Sequence, residues 1–144
     1  VEAKTLNDFI LGQNLEKVDF IKIDTEGGEF LFLKEWSDIL KELNHPTLLI
    51  SFHIKQLEEK LLFLSLKSKF IAKVFLKISR ILSFYFPRKK IINELTKIEE
   101  VLSSYRYVYS LNGQEFKFKE AINSPREIGN NSFIFSNKAW SKHA

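Results

Sequence analysis

Four polar residues follow two short apolar segments of the chain closely enough to share one site. They are Asp24, Glu26, Glu29 and His53. The three acids lie within the turn and helix start that follow the apolar run 18–23, and the histidine follows the apolar run 47–52. A carboxylate or an imidazole can take a proton from a substrate hydroxyl. The same groups could hold a divalent cation, for which their hard oxygens favour magnesium, calcium or manganese.

Two predicted strands and a helix must position these groups. The runs 18–23 and 47–52 are short and apolar, as strands covered on both faces are, and residues 29–43 carry apolar side chains at helical spacing. A strand, a helix and a strand in this order predict a right-handed parallel crossover. Neighbouring strands lie about 5 Å apart, and ligands bind beyond the carboxyl ends of parallel strands. We therefore expect the acids and the histidine to converge on one cleft.

The same residues also have a structural interpretation. Asp24 and Thr25 could cap the helix that follows, and Glu26 and Glu29 could favour its positive end. A single histidine after a strand is more often structural or solvent-facing than functional. The glycine pair at 27–28 has no Cβ and could let the backbone pass close to a ligand. Spacing alone leaves both interpretations of the acidic turn open.

The remaining chain predicts an α/β fold in which the final strand of the sheet turns antiparallel. Two terminal strands joined by an irregular loop, after a parallel crossover, indicate this arrangement. The predicted elements are a long helix at 55–86 ended by Pro87, a helix at 91–104, a strand at 105–111 with a turn at 112–113, and a last strand at 132–136.

The positive charge of the chain is confined to one segment. Residues 60–93 contain lysine and arginine but no acid, although the whole chain has a net charge of only +4. Apolar side chains and cations occupy different faces at helical spacing, which predicts a basic amphipathic helical insertion at about 55–90. It would pack on the sheet as an outer helix or lid, or contact a membrane surface. Such confined charge argues against nucleic-acid binding.

The composition of the chain limits which other classes of protein and of site are possible. Hydrophobic residues make up 44% and charged residues 28%, as in a globular domain. The chain has no Cys, which excludes disulfides, zinc–thiolate sites and cysteine nucleophiles, and which fits a reducing, cytoplasmic location. It also has no Met and no recognisable signal peptide, so we expect it to be part of a longer protein.

One stretch of sequence resembles a known family. Thr-Leu-Asn-Asp-Phe at 5–9, followed by Val-Asp-Phe-Ile-Lys-Ile-Asp-Thr-Glu-Gly-Gly-Glu at 18–29, resembles the signature of FkbM-type methyltransferases. Asn7 stands where that signature usually has Asp. The segment 46–53 is similar to the family's next strand, which often closes on an acid or a histidine. The strong resemblance therefore covers roughly residues 5–53.

The resemblance implies transfer of a methyl group from S-adenosylmethionine to a hydroxyl oxygen, often of a sugar or natural product. It implies a Rossmann-like, seven-stranded sheet in which 18–23 and 47–52 are the fourth and fifth strands. The glycine-rich cofactor loop would precede Val1. Residues 1–144 would then be the C-terminal portion of one methyltransferase domain, unable to catalyse alone.

The resemblance also implies a role for each site residue. It implies that Asp24, with Thr25, lies near the cofactor, while Glu26, Glu29 and His53 line the side of a small-molecule or glycan acceptor. The resemblance does not imply a metal ligand. The alternative function is a non-catalytic module that docks on a membrane or a protein partner through the basic amphipathic helix, with an acidic turn that only caps a helix.

Overall fold

A computed structural model describes residues 4–66, 74, 88–129 and 131–139. Most of the predicted basic insertion, at 67–73 and 75–87, lies outside the described residues. The elements in chain order are α1 (Leu6–Gly12), β1 (Phe20–Ile23), α2 (Glu29–Phe32), a 3-10 helix (Leu33–Glu35), α3 (Ser37–Glu42), β2 (Thr47–Ser51), α4 (Ile54–Leu66), α5 (Arg88–Leu102), β3 (Tyr107–Ser110), α6 (Phe118–Ala121), α7 (Pro125–Ile128) and β4 (Ser132–Ser136).

The four strands form one mixed sheet in the order β1-β2-β4-β3. β1 and β2 are parallel neighbours, with Ile23 opposite Ile50, so the predicted parallel crossover is confirmed. β4 is antiparallel to both β2 and β3, which confirms the predicted antiparallel final strand. Its place between β2 and β3 was not predicted. The fold is thus mixed α/β, with the carboxyl ends of β1 and β2 at one edge of the sheet.

Helices and aromatic rings cover the middle of this sheet. Leu48 and Ile50 of β2 are fully buried. So are three of the five buried residues of α5, which recur at helical spacing and are Ile91, Leu95 and Ile98. α5 packs against the 3-10 helix that follows α2. The core is therefore centred on β2, the strand that ends just before His53.

The predicted continuous helix at 29–43 is wrong in one respect, because the structure divides it. α2 passes into the 3-10 helix, and α3 begins only after Trp36, whose ψ of 3° leaves the helical range. The Trp36 N–H donates to the Leu33 carbonyl at 3.0 Å, a 3-10 hydrogen bond, and the Trp36 ring packs on Phe32 with ring centroids 5.0 Å apart. Helical spacing still buries Phe30, Leu33 and Leu40 on the side facing the core.

The other predicted elements are close to the observed ones. α5 begins and ends within a few residues of the predicted helix at 91–104, and β4 occupies 132–136 as predicted. The turn at 112–113 is confirmed by the hydrogen bond from Gly113 N–H to the Ser110 carbonyl, 2.9 Å. In the part of the chain that is described, no helix has the length and apolarity needed to cross a membrane.

Candidate functional site at the carboxyl ends of β1 and β2

The turn after β1 presents two acids to solvent. Asp24 is the first residue beyond the strand, and its Oδ2 lies 3.3 Å from the Nζ of Lys22. Glu26 occupies the left-handed region with φ of 50°, and Gly27 follows with φ of 95°. A non-glycine residue in that region is uncommon and costs conformational free energy. The turn is therefore held in a specific shape that directs the acids outward.

The end of β2 is held by its neighbours. Phe52 is fully buried and packs against Phe30, Phe118 and Phe133, with ring centroids 5.2 to 6.2 Å apart. Its backbone N–H donates to the Asn131 carbonyl at 2.9 Å, which continues the pairing with the β4 side. His53 comes next and is thus fixed in position by the core behind it.

Glu29, at the start of α2, lies beneath His53 with an exposed fraction of 0%. Its Oε1 accepts from the backbone N–H of His53 at 2.7 Å and lies 3.2 Å from the imidazole Nδ1. Its Oε2 accepts from the Gly27 N–H and from the Thr25 hydroxyl, both at 3.0 Å. An ionised carboxylate only accepts hydrogen bonds, so the contact with Glu29 favours the imidazole tautomer that has its proton on Nδ1 and its lone pair on Nε2.

The imidazole Nε2 faces the two exposed acids. It lies 3.5 Å from Oδ1 of Asp24 and 3.9 Å from Oε2 of Glu26. The side chain of His53 is only 14% exposed, whereas those of Asp24 and Glu26 are 42% and 76% exposed. The structure therefore brings all four predicted residues together. Three of them have an outward-facing atom, and the fourth, Glu29, holds the histidine from below.

The glycine pair does not leave space for a ligand. A Cβ added at Gly27 would lie 3.1 Å from Cβ of Gln56, and one at Gly28 would lie 2.9 Å from Oγ1 of Thr25. The close approach that we expected between this backbone and a ligand is instead made by the protein's own side chains. Glycine is required here because the turn packs tightly against α4.

The capping interpretation of the turn is also wrong in detail. The N-cap of α2 is Gly28, and no side chain forms a capping hydrogen bond there. The Thr25 hydroxyl donates to the carboxylate of Glu29 and does not accept from a backbone N–H at the start of the helix. Glu29 does lie in the first turn of α2, where a negative charge is favoured. Its main contacts, however, are with the preceding turn and with His53.

Gln56, which sequence reasoning missed, joins the two strand ends. It lies in the first turn of α4, and its Nε2 donates to Oε2 of Glu26 at 3.1 Å. The signal that could have found it is its position three residues after His53, at the start of a helix that begins at the same edge of the sheet. A side chain there projects towards the neighbouring strand end.

A known family model covers this part of the chain. The model of the methyltransferase FkbM domain matches residues 1–109, which include both strand ends and all of the site residues. The chain belongs to the FkbM methyltransferase family. No curated protein and no solved structure matches it.

In this FkbM domain, the three outward-facing groups form a set of metal-binding type. Their ligand atoms, from Asp24, Glu26 and His53, all lie within 4.8 Å of one another. Two carboxylates and one imidazole suit manganese or another first-row metal as well as magnesium. A cation at this position stays a prediction, because the same geometry also serves an imidazole that acts without a metal.

Among the described residues, three other clefts lie away from this cluster. Their volumes are about 560, 410 and 780 Å³. The largest is at the opposite edge of the sheet, where Asp19, Thr47 and Ser136 mark the strand ends. None of the three is lined by a predicted site residue. The convergent, titratable groups in the described residues therefore favour the carboxyl edge as the functional site.

Proposed function

We propose that this FkbM domain serves an S-adenosylmethionine-dependent methyltransferase that methylates a hydroxyl oxygen of a sugar or another natural product. The observation that carries the proposal is the Glu29–His53 pair, which directs an imidazole Nε2 outwards beside two exposed carboxylates. Ligands bind at this edge in open α/β sheets. Membership of the FkbM family gives the type of reaction.

Asp24 has the chemistry needed at the cofactor side. Its carboxylate follows β1 and is partly exposed, with Oδ2 paired with Lys22 and Oδ1 3.5 Å from Nε2 of His53. It could accept hydrogen bonds from the amino or hydroxyl groups of S-adenosylmethionine. Thr25 fits this role less well through its side chain, because its hydroxyl proton is already donated to Glu29. When bound, the cofactor supplies an electrophilic methyl group on a sulfonium.

His53 is the group best placed to take the acceptor's proton. With Nδ1–H held by Glu29, the lone pair of Nε2 is available to the hydroxyl that is methylated. The imidazolium that forms would lie close to the carboxylates of Asp24 and Glu26, which stabilise its charge. Glu29 acts here through His53, as a positioning residue rather than as a group that lines the acceptor cavity.

The sheet is consistent with the larger fold that the proposal requires. Among the described residues, β1 pairs only with β2, so its other edge is free to pair with a further strand. A strand there would extend the parallel part of the sheet beside Asp24. The order β1-β2-β4-β3 then corresponds to the last four strands of a seven-stranded, Rossmann-like sheet.

Binding of the cofactor is tested by calorimetry with S-adenosylmethionine and the full-length protein. The Asp24→Asn variant should bind at least about ten-fold more weakly, which corresponds to about 1.4 kcal/mol. Asp38→Asn is the matched control, because Asp38 is also an exposed acid paired with a lysine, Lys41. If the wild-type protein does not bind the cofactor, or if both variants bind equally well, the proposed cofactor side is wrong.

A further inference from the structure

We propose that Gln56 is a positioning residue that holds the carboxylate of Glu26 beside the Nε2 of His53. The inference rests on the proposed function of this site and adds a residue to it. Gln56 reaches the cluster from α4, whereas Glu26 lies in the turn after β1, 30 residues earlier. This hydrogen bond joins the turn after β1 to the first turn of α4, in addition to the contacts between Glu29 and His53.

The carboxylate of Glu26 needs such a partner to keep its place. Its side chain is 76% exposed, and it belongs to a long, flexible residue at the tip of a turn. Ordering an exposed glutamate costs side-chain entropy, which a loose contact with an imidazole offsets poorly. The amide of Gln56 donates to Oε2, the same oxygen that lies 3.9 Å from Nε2 of His53. A hydrogen bond to an ionised acceptor is stronger than one between neutral groups.

The stem of Gln56 is itself fixed by the turn. A Cβ on residue 27 would lie 3.1 Å from Cβ of Gln56, so the glycine allows the backbone of the turn to lie directly on this side chain. Gly27 also has φ of 95°, which favours glycine over other residues. Gln56 thus contacts the turn at two points, through its stem at Gly27 and through its amide at Glu26.

The amide oxygen of Gln56 indicates that its contact with Glu26 is kept at a cost in stability. Oε1 of Gln56 is buried and has no hydrogen-bond partner. A buried acceptor without a partner is unfavourable, and an apolar side chain of the same length would avoid the penalty. The reverse orientation of the amide would bring Oε1 against the carboxylate of Glu26. Stability alone would therefore favour a residue such as methionine, whereas holding Glu26 requires the Nε2 donor.

The test combines stability with kinetic coupling in the full-length enzyme. Gln56→Met should leave the melting temperature and the S-adenosylmethionine affinity unchanged, or raise the melting temperature, while kcat/KM for the acceptor falls about ten-fold. If Gln56 acts through Glu26, the double variant Gln56→Met/Glu26→Gln should be no slower than Glu26→Gln alone. Gln13→Met is the control, since Gln13 is exposed at the end of α1. Additive losses in the double variant would overturn the proposal.

A second readout does not depend on activity. Side-chain amide NMR should show that Glu26→Gln shifts the Nε2 protons of Gln56 and speeds their exchange with water, with no change at Gln13. Unchanged Gln56 signals would overturn the positioning role even in an active enzyme. Absence of any methyl transfer by the wild-type protein would contradict the proposed function instead, and the NMR result would still decide whether Gln56 holds Glu26.

Discussion

Oε1 of Glu29 accepts from the backbone N–H of His53 at 2.7 Å and also lies 3.2 Å from the imidazole Nδ1. One fully buried oxygen thus fixes both the position of the histidine in the chain and the direction of its ring. This relationship converts a histidine at the end of a strand into an oriented group with one nitrogen free for chemistry. Each expectation below depends on it or on the sheet that supports it.

Glu29→Gln should destabilise the protein, although the two side chains have nearly the same shape. Gln introduces an N–H₂ group where the protein offers donors from Gly27, Thr25 and His53, so at least one buried donor loses its acceptor. We expect the free energy of unfolding to fall by about 2 kcal/mol or more, measured by urea denaturation.

The control for that measurement is Glu120→Gln. Glu120 is an exposed acid whose partner is Lys117, three residues earlier, at 3.2 Å. Such a surface pair contributes little, so the change should stay within about 0.5 kcal/mol. Equal effects of the two substitutions would mean that Glu29 does not carry the buried network described here.

The site illustrates what a sequence can and cannot establish. Asp24 and His53 could be placed near each other beforehand, because both follow apolar strands and parallel neighbours end at the same edge of a sheet. The burial of Glu29 could not be predicted from the sequence. A glutamate at a helix start ordinarily faces solvent, and its burial depends on His53, 24 residues later in the chain. Gln56 escaped detection for the same reason, since its partner Glu26 is distant in sequence.

The fold shows the same division between local and non-local information. Apolar runs located the strands within a few residues, because the apolar residues of each run are the ones that become buried in the sheet. The place of β4 between β2 and β3 depends on which strand edges pair, and the pattern of Phe133 and Phe135 is the same for either edge. The break at Trp36 is a change of the backbone hydrogen bond to the Leu33 carbonyl, which the helical spacing of apolar residues does not reveal.

Chelation of divalent metals should leave methyl transfer intact, because in the proposed function the imidazole of His53 itself takes the acceptor's proton. The full-length enzyme should keep its rate after treatment with EDTA and after later addition of Mn²⁺. The assay is the rate of S-adenosylhomocysteine formation. A rate that is lost with EDTA and restored by Mn²⁺ would instead make Asp24, Glu26 and His53 ligands of a metal ion, which their mutual distances allow.

Tyr105 should stabilise the fold in a pH-dependent way. Its side chain is buried, its hydroxyl donates to the Pro46 carbonyl at 2.8 Å, and burial raises the pKa of the phenol. Above the ordinary tyrosine pKa of about 10, the unfolded chain loses this proton while the folded protein keeps it. The stabilisation is therefore complete below that pH and is lost as the pH rises further.

Tyr105→Phe checks both parts of this expectation. The variant leaves the Pro46 carbonyl without its donor and should lower the free energy of unfolding at pH 7 by about 1 to 2 kcal/mol. It should also show a smaller loss of stability between pH 9 and 11 than the wild-type protein. Urea denaturation at several pH values measures both effects. An unchanged pH dependence would contradict the burial of this phenol as the cause.

The role of His53 as the base is tested by comparing His53→Asn with the wild-type enzyme in methyl transfer from labelled S-adenosylmethionine to a polyhydroxylated acceptor. The Asn amide can still donate to Glu29 in place of Nδ1 but has no nitrogen that takes a proton, so the fold should persist while kcat falls about 100-fold or more. His45→Asn, at a left-handed position outside the cluster, should retain the wild-type rate. Equal rates for His53→Asn and the wild-type enzyme would contradict the role of His53 as the base.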